Sequence, residues 1–173
     1  FQRESRRWQA ELRTWWTREL ISSPSPLTER LVLMWHGHFT SEMRKVRSAQ
    51  AMLRQNQMFR RLGSGDFRKL LHEVARDPAM AIYLDTRRST REKPNENFAR
   101  EVMELFTMGV GNYTETDVYD CARAFTGWTY DGKISYIFGL GAFNWQFAYR
   151  AEDHDAGEKS FLGHTGRFNG EDI

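Results

Sequence analysis

The chain has 173 residues, of which 40% are hydrophobic and 14% aromatic; this excludes a disordered chain and predicts one packed domain. The formal net charge is +2, but residues 1–91 carry 18 basic and 9 acidic side chains and residues 92–173 carry 7 and 14, so the two parts are +9 and −7. The single cysteine, Cys121, excludes an intrachain disulfide and a cysteine-based zinc site, and no apolar run is long enough to span a bilayer.

Helical periodicity dominates the chain as far as residue 127. Trp8, Leu12 and Trp15 recur at helical spacing and predict a first helix over 3–21. Ser25 and Pro26 are an N-cap and first-position pair that opens a second helix to about Phe39. Five further helices are predicted over about 45–62, from Asp66 past Val74, 78–84, 94–109 and 114–125.

The pattern changes after Trp128, where aromatic residues nearly alternate with others up to Tyr149 and predict a β-hairpin over about 128–150. Residues 151–173 are predicted to be a loop region. The predicted fold is mainly α, a compact multi-helix domain over 1–173 with one small β-hairpin and a loop-rich C-terminal end. A chain that begins on Phe1 and ends as a new element starts is expected to be a fragment of a longer protein.

The helix PNENFAREVMELFTMG (94–109) holds many polar groups among apolar ones. On a helical wheel, Glu96, Arg100 and Glu104 share one stripe, with i, i+4 spacing that favours ion pairs. Glu101 lies at the edge of the apolar arc, where a carboxylate needs a cation, a metal or a proton. Asn95 and Asn97 are typical helix-start residues. Either these groups form a structural network or they line a site.

Two other stretches carry candidate functional groups. In WHGHF (35–39), His38 is predicted on the buried face of its helix, which also contains Leu27, Leu31, Met34 and Trp35. A lone histidine there is typical of a hydrogen-bonded core residue. In EDHDAGEK (152–159), the residues His154, Asp155 and Lys159 lie on a loop, where they could serve acid–base or ligand chemistry or form a solvated acidic turn.

Four stretches together carry a resemblance to a known family: LTERLVLMWHGHF (27–39), MLRQNQMFRRLGSGDFRKLLHEVARDPAMAIYLD (52–85), PNENFAREVMELFTMGVGNYTETDVYDCARAFTGW (94–128) and HDAGEKSFLG (154–163). They resemble the bacterial family called domain of unknown function 1800. Gly37 stands where that family usually has an asparagine. The resemblance implies an internal portion of a longer exported or cell-envelope protein with a companion exported protein encoded nearby. It implies no established reaction.

Two functional hypotheses remain open. The first is a metal-assisted or acid–base enzyme with a polar site between helices, for which hydrolysis is one candidate reaction. Its candidates for catalysis are Glu101, Glu104, His38, His154 and Asp155. Its candidates for substrate binding are Arg100, Arg123, Lys159, Asn95, Asn97 and Trp128. Its candidates for a divalent metal are His38, Glu101, Glu104 and His154.

The second hypothesis is a non-catalytic scaffold or partner-binding module of the cell envelope. Its ion pairs would be Glu96–Arg100–Glu104 and Glu101–Arg123, with the hairpin 136–149 as an aromatic binding surface. Nucleic-acid binding through the basic segment 43–61 is the weakest alternative, because aromatic residues are sparse there and the later half is acidic. The oligomeric state and the substrate are not indicated.

Overall fold

A computed structural model of the protein describes residues 2–132 and 145–173. These residues divide into two compact units. Unit 1 contains the described residues up to Tyr83 together with Gly132 and Trp145, and unit 2 contains Leu84–Asp131 and Gln146–Ile173. The prediction of a single domain over 1–173 concerns the two units together and stays a prediction.

Unit 1 is helical throughout its regular structure. Its helices are α1 (Gln2–Ser22), α2 (Pro26–His38), α3 (Met43–Val46), α4 (Ala49–Leu62), α5 (Phe67–Ala75) and α6 (Pro78–Tyr83). Helix α4 packs against α1, α2, α5 and α6, so it is the centre of this unit. Its own buried residues include Met58 and Phe59.

Two helices, α3 and α4, stand in place of the predicted helix over 45–62, because the backbone between them is not helical. Arg47 has a φ of 56°, in the left-handed region, which ends α3. Ser48 then caps α4, its Oγ accepting a hydrogen bond from the Ala51 backbone N–H at 3.2 Å.

The predicted buried face of α2 is buried only in part, since Leu31 and Trp35 are half-buried. Leu27 is 70% exposed and Met34 is 48% exposed, whereas Glu29 and Val32 are fully buried. The reason is that an arginine of α4, Arg60, reaches into the unit and forms a forked ion pair with Glu29. Because its charge is paired with an arginine, the Glu29 carboxylate can lie in the interior, where helical periodicity alone would predict an apolar side chain.

Unit 2 combines helices with two antiparallel strand pairs. Its elements are a 3₁₀ turn (Thr86–Arg88), α7 (Glu96–Glu101), a π-helical segment (Val102–Thr107), α8 (Glu115–Ala124), β1 (Trp128–Asp131), β2 (Gln146–Tyr149), a second 3₁₀ turn (Ala151–Asp153), β3 (Lys159–Phe161) and β4 (His164–Gly166). The α7 segment packs against α8, and α8 packs against β3. The mainly helical fold class is confirmed.

The predicted hairpin is present in its described part. Strands β1 and β2 pair antiparallel with Trp128 opposite Tyr149, and residues 133–144 of the predicted hairpin lie outside the described residues. The pair β3–β4, with Lys159 opposite Gly166, was not predicted, since its strands are only three residues long. Within residues 2–132 and 145–173, no helix is both long and apolar enough to span a membrane.

Candidate functional site

Helix α7 begins as the sequence predicted. The Asn95 side chain caps it, its Oδ1 accepting from the Asn97 backbone N–H at 3.0 Å. The Asn95 Nδ2 also donates to the carbonyl of Leu84 at 2.8 Å, which ties the helix start to the preceding segment. Both amide functions of Asn95 are therefore used locally, and the Asn97 side chain is exposed.

The helix widens into a π turn immediately after Glu101. The backbone N–H of Met108 bonds to the carbonyl of Met103 at 2.9 Å, the i→i+5 spacing of a π-helix. The extra residue in this turn rotates the following side chains relative to a regular helix. As a result, Leu105 is 57% exposed, although the wheel placed it in the apolar arc.

The π turn also separates Glu104 from its predicted stripe. Glu104 accepts a hydrogen bond from the Tyr113 hydroxyl at 2.7 Å, while Arg100 forms a forked pair with Glu115 at 3.0 and 2.7 Å. Arg100 also lies 3.5 Å from Glu96. The predicted Glu96–Arg100 pair is present, and Glu115 replaces Glu104 as the second partner.

Glu101 is half-buried. Among the residues that the structure describes, no cation lies within ion-pair distance of it and no donor bonds it, so the Glu101–Arg123 pair of the scaffold hypothesis does not form there. Desolvation, followed by the negative charge of Glu104, raises the pKa of Glu101. It is a carboxylate in an environment that favours its protonated form.

Arg123 on α8 is committed to acceptors in its own unit. Its Nε donates to Asp155 Oδ2 at 2.7 Å and its Nη2 to Asp155 Oδ1 at 3.2 Å, while its Nη1 donates to Asp120 Oδ1 at 2.8 Å. This arrangement raises the pKa of Arg123 and lowers that of Asp155 to about 2. Arg123 would have to leave these carboxylates to bind a substrate anion.

Two further aspartates of α8 hold the loop that follows Asp155. Asp120 Oδ2 accepts from the Ser160 backbone N–H at 2.6 Å, and Asp117 Oδ1 accepts from the Leu162 backbone N–H at 2.7 Å. Asp117 is also the capping-box partner of Thr114, which confirms that predicted helix start. We call α8 with the bound segment 154–162 the α8 clamp.

Lys159 is only 1% exposed, and its ammonium group donates to the carbonyls of Asp155 and Gly157. Burial lowers its pKa. These two hydrogen bonds hold the loop closed, and they explain why Lys159 is buried without a bound ligand.

His154 is oriented by a backbone carbonyl. Its Nδ1 lies 3.0 Å from the Thr126 carbonyl oxygen, which only accepts, so Nδ1 carries the hydrogen. In the neutral ring Nε2 is then the basic nitrogen. The carboxylate of Asp155 is held by Arg123, so Thr126 occupies the orienting position that the enzyme hypothesis assigned to Asp155.

Trp128 is 3% exposed and lies against Phe125 and Phe147 with ring centroids 5.0 and 4.7 Å away. Gly170 packs on it so closely that a Cβ would come within 2.5 Å of the indole. The described hairpin face that contains Trp128 and Tyr130 is therefore core. Tyr149, which pairs with Trp128 across the two strands, is 48% exposed.

The two histidines of WHGHF lie in unit 1 and have different surroundings. His36 is packed between Trp16 and Phe59, with centroids 4.7 and 4.8 Å away. Burial, with the charge of Arg60, lowers the pKa of His36 to about 4. His38 is half-buried and has an edge contact with Phe39 at 4.7 Å.

The candidate metal ligands lie in both units, with His38 in unit 1 and Glu101, Glu104 and His154 in unit 2. Within residues 2–132 and 145–173, no three His, Cys, Asp or Glu side chains are grouped so that they could hold a metal ion. Glu101 and Glu104 are close enough for their charges to interact. Cys121 is fully buried, which raises the pKa of its thiol and agrees with the predicted core role.

Two buried polar networks of unit 1 were not predicted. In the first, Arg60 bonds Glu29 Oε2 at 2.7 Å and Asn56 Oδ1 at 2.8 Å, and the Asn56 amide nitrogen lies 3.2 Å from His36 Nε2. Glu29 and His36 are seven residues apart on one face of α2, a spacing that could have indicated a shared polar interior.

The second network centres on Asp77, the residue before α6. Its Oδ2 accepts from Gln55 Nε2 at 2.8 Å and from the Met80 backbone N–H at 2.9 Å. Burial raises the pKa of Asp77 to about 7. Sequence reasoning recognised Asp77-Pro78 as a helix start and missed that the carboxyl group is buried.

Comparisons with known proteins identify the family. The family described as "Protein of unknown function (DUF1800)" matches residues 1–173, the whole chain. No curated protein and no solved structure matches. The motifs around the glutamate helix, WHGHF and the α8 clamp therefore lie within one family-wide match, and the chain belongs to the DUF1800 family.

Proposed function

We propose that the protein is an enzyme whose acid–base group is the Glu101 carboxylate, with Glu104 beside it. The observation that carries this proposal is the state of Glu101, which is half-buried beside a second carboxylate and, among the described residues, has no cation. A carboxyl group whose pKa is raised towards neutrality is suited to give and take protons. The adjoining π turn is a feature often found at functional sites.

The neighbours of Glu101 support distinct roles for the two carboxylates. Tyr113 donates a hydrogen bond to Glu104, and the negative charge of Glu104 favours a proton on Glu101. Two carboxylates in different environments can act as acid and as stabilising charge in one reaction. His154, whose Nε2 is the basic nitrogen of the neutral ring, is the second candidate proton carrier in this unit.

A metal-assisted version of the same proposal uses Glu101 and Glu104 as oxygen ligands. Mg²⁺ typically takes one or two carboxylates and keeps several waters, so two glutamates are sufficient protein ligands for it. Such an ion would lower the pKa of Glu101 and activate a bound water for hydrolysis.

The test compares wild-type protein with Glu101→Gln, Glu104→Gln and the control Glu92→Gln. Glu92 is an exposed carboxylate of the same unit. The untagged proteins are analysed for bound metals by elemental mass spectrometry and assayed against chromogenic esters, phosphate esters, glycosides and peptides, with and without Mg²⁺ and Mn²⁺.

We expect at least one substrate to be hydrolysed by the wild-type protein. The rate should be reduced by about 10²-fold or more in Glu101→Gln and should stay within about twofold of wild type in Glu92→Gln. Circular dichroism of each variant is used to check that it is folded. A hydrolytic activity that survives unchanged in Glu101→Gln contradicts the proposal.

A scaffold or partner-binding module is the second candidate, supported by the α8 clamp. Arg123, Asp155 and Lys159 are engaged with one another or with backbone groups, which is what a fold-stabilising network requires. In a deletion strain of the source organism, a scaffold would tolerate Glu101→Gln and lose function when Asp155 is replaced by alanine. It would also bind the companion exported protein directly.

A further inference from the structure

Unit 1 contains a cavity on the exposed side of α4 that none of the predicted site residues lines. It has a volume of about 470 Å³ and lies between α4, α5 and the start of α6. Its size is in the range of pockets that bind small organic molecules. Its lining combines three arginines with two acidic residues and an unsatisfied amide: Arg54, Arg61, Arg76, Glu73, Asp77 and Gln50.

The charges of this lining favour an anion. Arg54 and Arg61 are exposed at the rim, and Asp77 is 3% exposed at the floor. Arg61 is 4.0 Å from Glu73, a loose pair, and Arg54 donates a hydrogen bond to the Trp145 carbonyl at 3.0 Å while its charge acts on Asp77. Guanidinium groups bind phosphate and carboxylate oxygens through paired hydrogen bonds.

Two further features support a ligand in this cavity. Burial raises the pKa of Asp77 to about 7, so near neutral pH its carboxyl group offsets only part of the arginine charge. The Oε1 atom of Gln50 is buried and has no hydrogen-bond partner within the described part of the chain. Buried acceptors are usually satisfied, so a donor from a ligand or a water is expected there.

A second, apolar surface adjoins the cavity. A groove of about 340 Å³ between α1 and α4 is lined mainly by Trp8, Leu12 and Trp15, and it shares Leu53 and Gln57 with the cavity. The one carboxylate in its lining, Glu11, is paired with Arg7 at 2.7 Å. Leu53 and Gln57 are successive turns of α4, so the basic cavity and the apolar groove meet along one helix.

We propose that the cavity and the groove form one binding site for an amphiphilic anion, with its phosphate or carboxylate oxygens among the arginines and its hydrocarbon part against Leu12 and Trp15. This site lies in unit 1 and does not depend on Glu101. The basic lining alone would bind inorganic anions, and the groove alone would bind neutral apolar molecules. Their shared wall favours a ligand that has both parts.

The test is isothermal titration calorimetry of the whole chain with octyl phosphate below its micelle concentration. Inorganic phosphate and 1-octanol each lack one part of the ligand, and octanoate exchanges the head group. We expect saturable one-to-one binding of octyl phosphate at least tenfold tighter than either partial ligand. The ratio of octyl phosphate to octanoate affinity reports which oxyanion the arginines prefer.

Matched variants assign the binding to the two surfaces. Arg54→Gln and Arg61→Gln are each expected to weaken octyl phosphate binding about fivefold or more, and the control Arg68→Gln, an exposed arginine of α5 outside the cavity, to change it less than twofold. Leu12→Ala is expected to weaken binding about threefold, and the control Leu27→Ala not at all. Circular dichroism monitors the fold during each titration.

Two results would overturn the proposal: octyl phosphate binding no tighter than inorganic phosphate, or equal binding by the arginine variants and Arg68→Gln. Glu101→Gln is expected to bind octyl phosphate like wild type. Its result therefore separates failure of this site from failure of the proposed enzyme site.

Discussion

Arg123 of α8 donates two hydrogen bonds, of 2.7 and 3.2 Å, to the carboxylate of Asp155, 32 residues later in the chain. The side chains of both are mostly buried, with 18% and 21% exposed. The pair is one of the points at which the loop 154–162 is attached to the helix that contains Cys121, and so it joins two of the family motifs.

Breaking this pair is expected to destabilise the protein. Arg123→Lys and Asp155→Asn should each lower the free energy of unfolding by about 2 kcal/mol, since each leaves a mostly buried charge with a poorer partner. A double-mutant cycle measured by urea denaturation should give a coupling energy of about 1 kcal/mol or more. The exposed pair Arg150–Asp131, at 3.9 Å, is the control and should give less than about 0.5 kcal/mol.

The Arg123–Asp155 pair also predicts how the free energy of unfolding changes at acid pH. The pKa of Asp155 is lowered to about 2, first by the Arg123 hydrogen bond, so the folded state holds its proton less tightly than the unfolded state. The stability that it contributes is fully present above about pH 4 and is lost as the pH falls through 2. Asp155→Asn should remove this part of the profile, and an unchanged loss of stability between pH 4 and 2 would contradict it.

Asp77 is expected to make stability fall as the pH rises. Its pKa is raised from 3.8 to about 7 by burial, so its contribution is fully present below about pH 4 and is lost as the pH rises through 7. His36 has the opposite effect, because its lowered pKa makes stability fall as the pH falls from 6.5 towards 4. In wild-type protein these two slopes oppose each other between about pH 4 and 6.5.

Asp77→Asn separates the two groups. It keeps an oxygen acceptor for Gln55 and Met80 and removes the titration. Each pKa unit corresponds to about 1.4 kcal/mol, and about 2.4 units of the difference between the folded and unfolded titrations fall in this window, so the variant should gain about 3 kcal/mol relative to wild type between pH 4.5 and 8. Urea denaturation at several pH values measures this gain, and a difference between variant and wild type that does not change with pH would contradict it.

Glu101→Gln is expected to leave the protein as stable as wild type or slightly more stable. The substitution removes a desolvated charge that is repelled by Glu104, an effect of a few tenths of a kcal/mol at a half-exposed helix position. Thermal denaturation of this variant and of Glu92→Gln measures the difference. A clear loss of stability in Glu101→Gln alone would mean that the carboxylate has a structural role, which would weaken the enzyme proposal.

Gly127 is expected to tolerate no side chain. Its φ is +80°, and a Cβ would lie 2.4 Å from the carbonyl oxygen of Arg150. Gly127→Ala should lower the free energy of unfolding by about 3 kcal/mol or more, since both the conformation and the contact are unfavourable. The control is Gly111→Ala, which has a φ of +88° with no atom near its Cβ and should cost about 1 kcal/mol. Equal losses would show that the Arg150 contact is unimportant.

Most of the helices were predictable because their signals are local. The Asp66 cap, the Thr114–Asp117 capping box and the Asn95 helix start involve hydrogen bonds between residues two or three positions apart. Both partners of each of these hydrogen bonds are therefore visible in a short stretch of the sequence. The short strands β3 and β4 carry too few residues for a periodic signal.

The partners of the charged groups were decided by the tertiary structure. The sequence by itself indicated that the Glu101 carboxylate needs a partner and offered Arg123 as one, but it did not contain the distance from Arg123 to Asp155 or from Arg60 to Glu29. A π turn that inserts one residue moved Glu104 from Arg100 to Tyr113, a change that no helical wheel represents. Local hydrogen bonds depend on neighbours in the chain, whereas the pairing and burial of a charge depend on which distant residues pack against it.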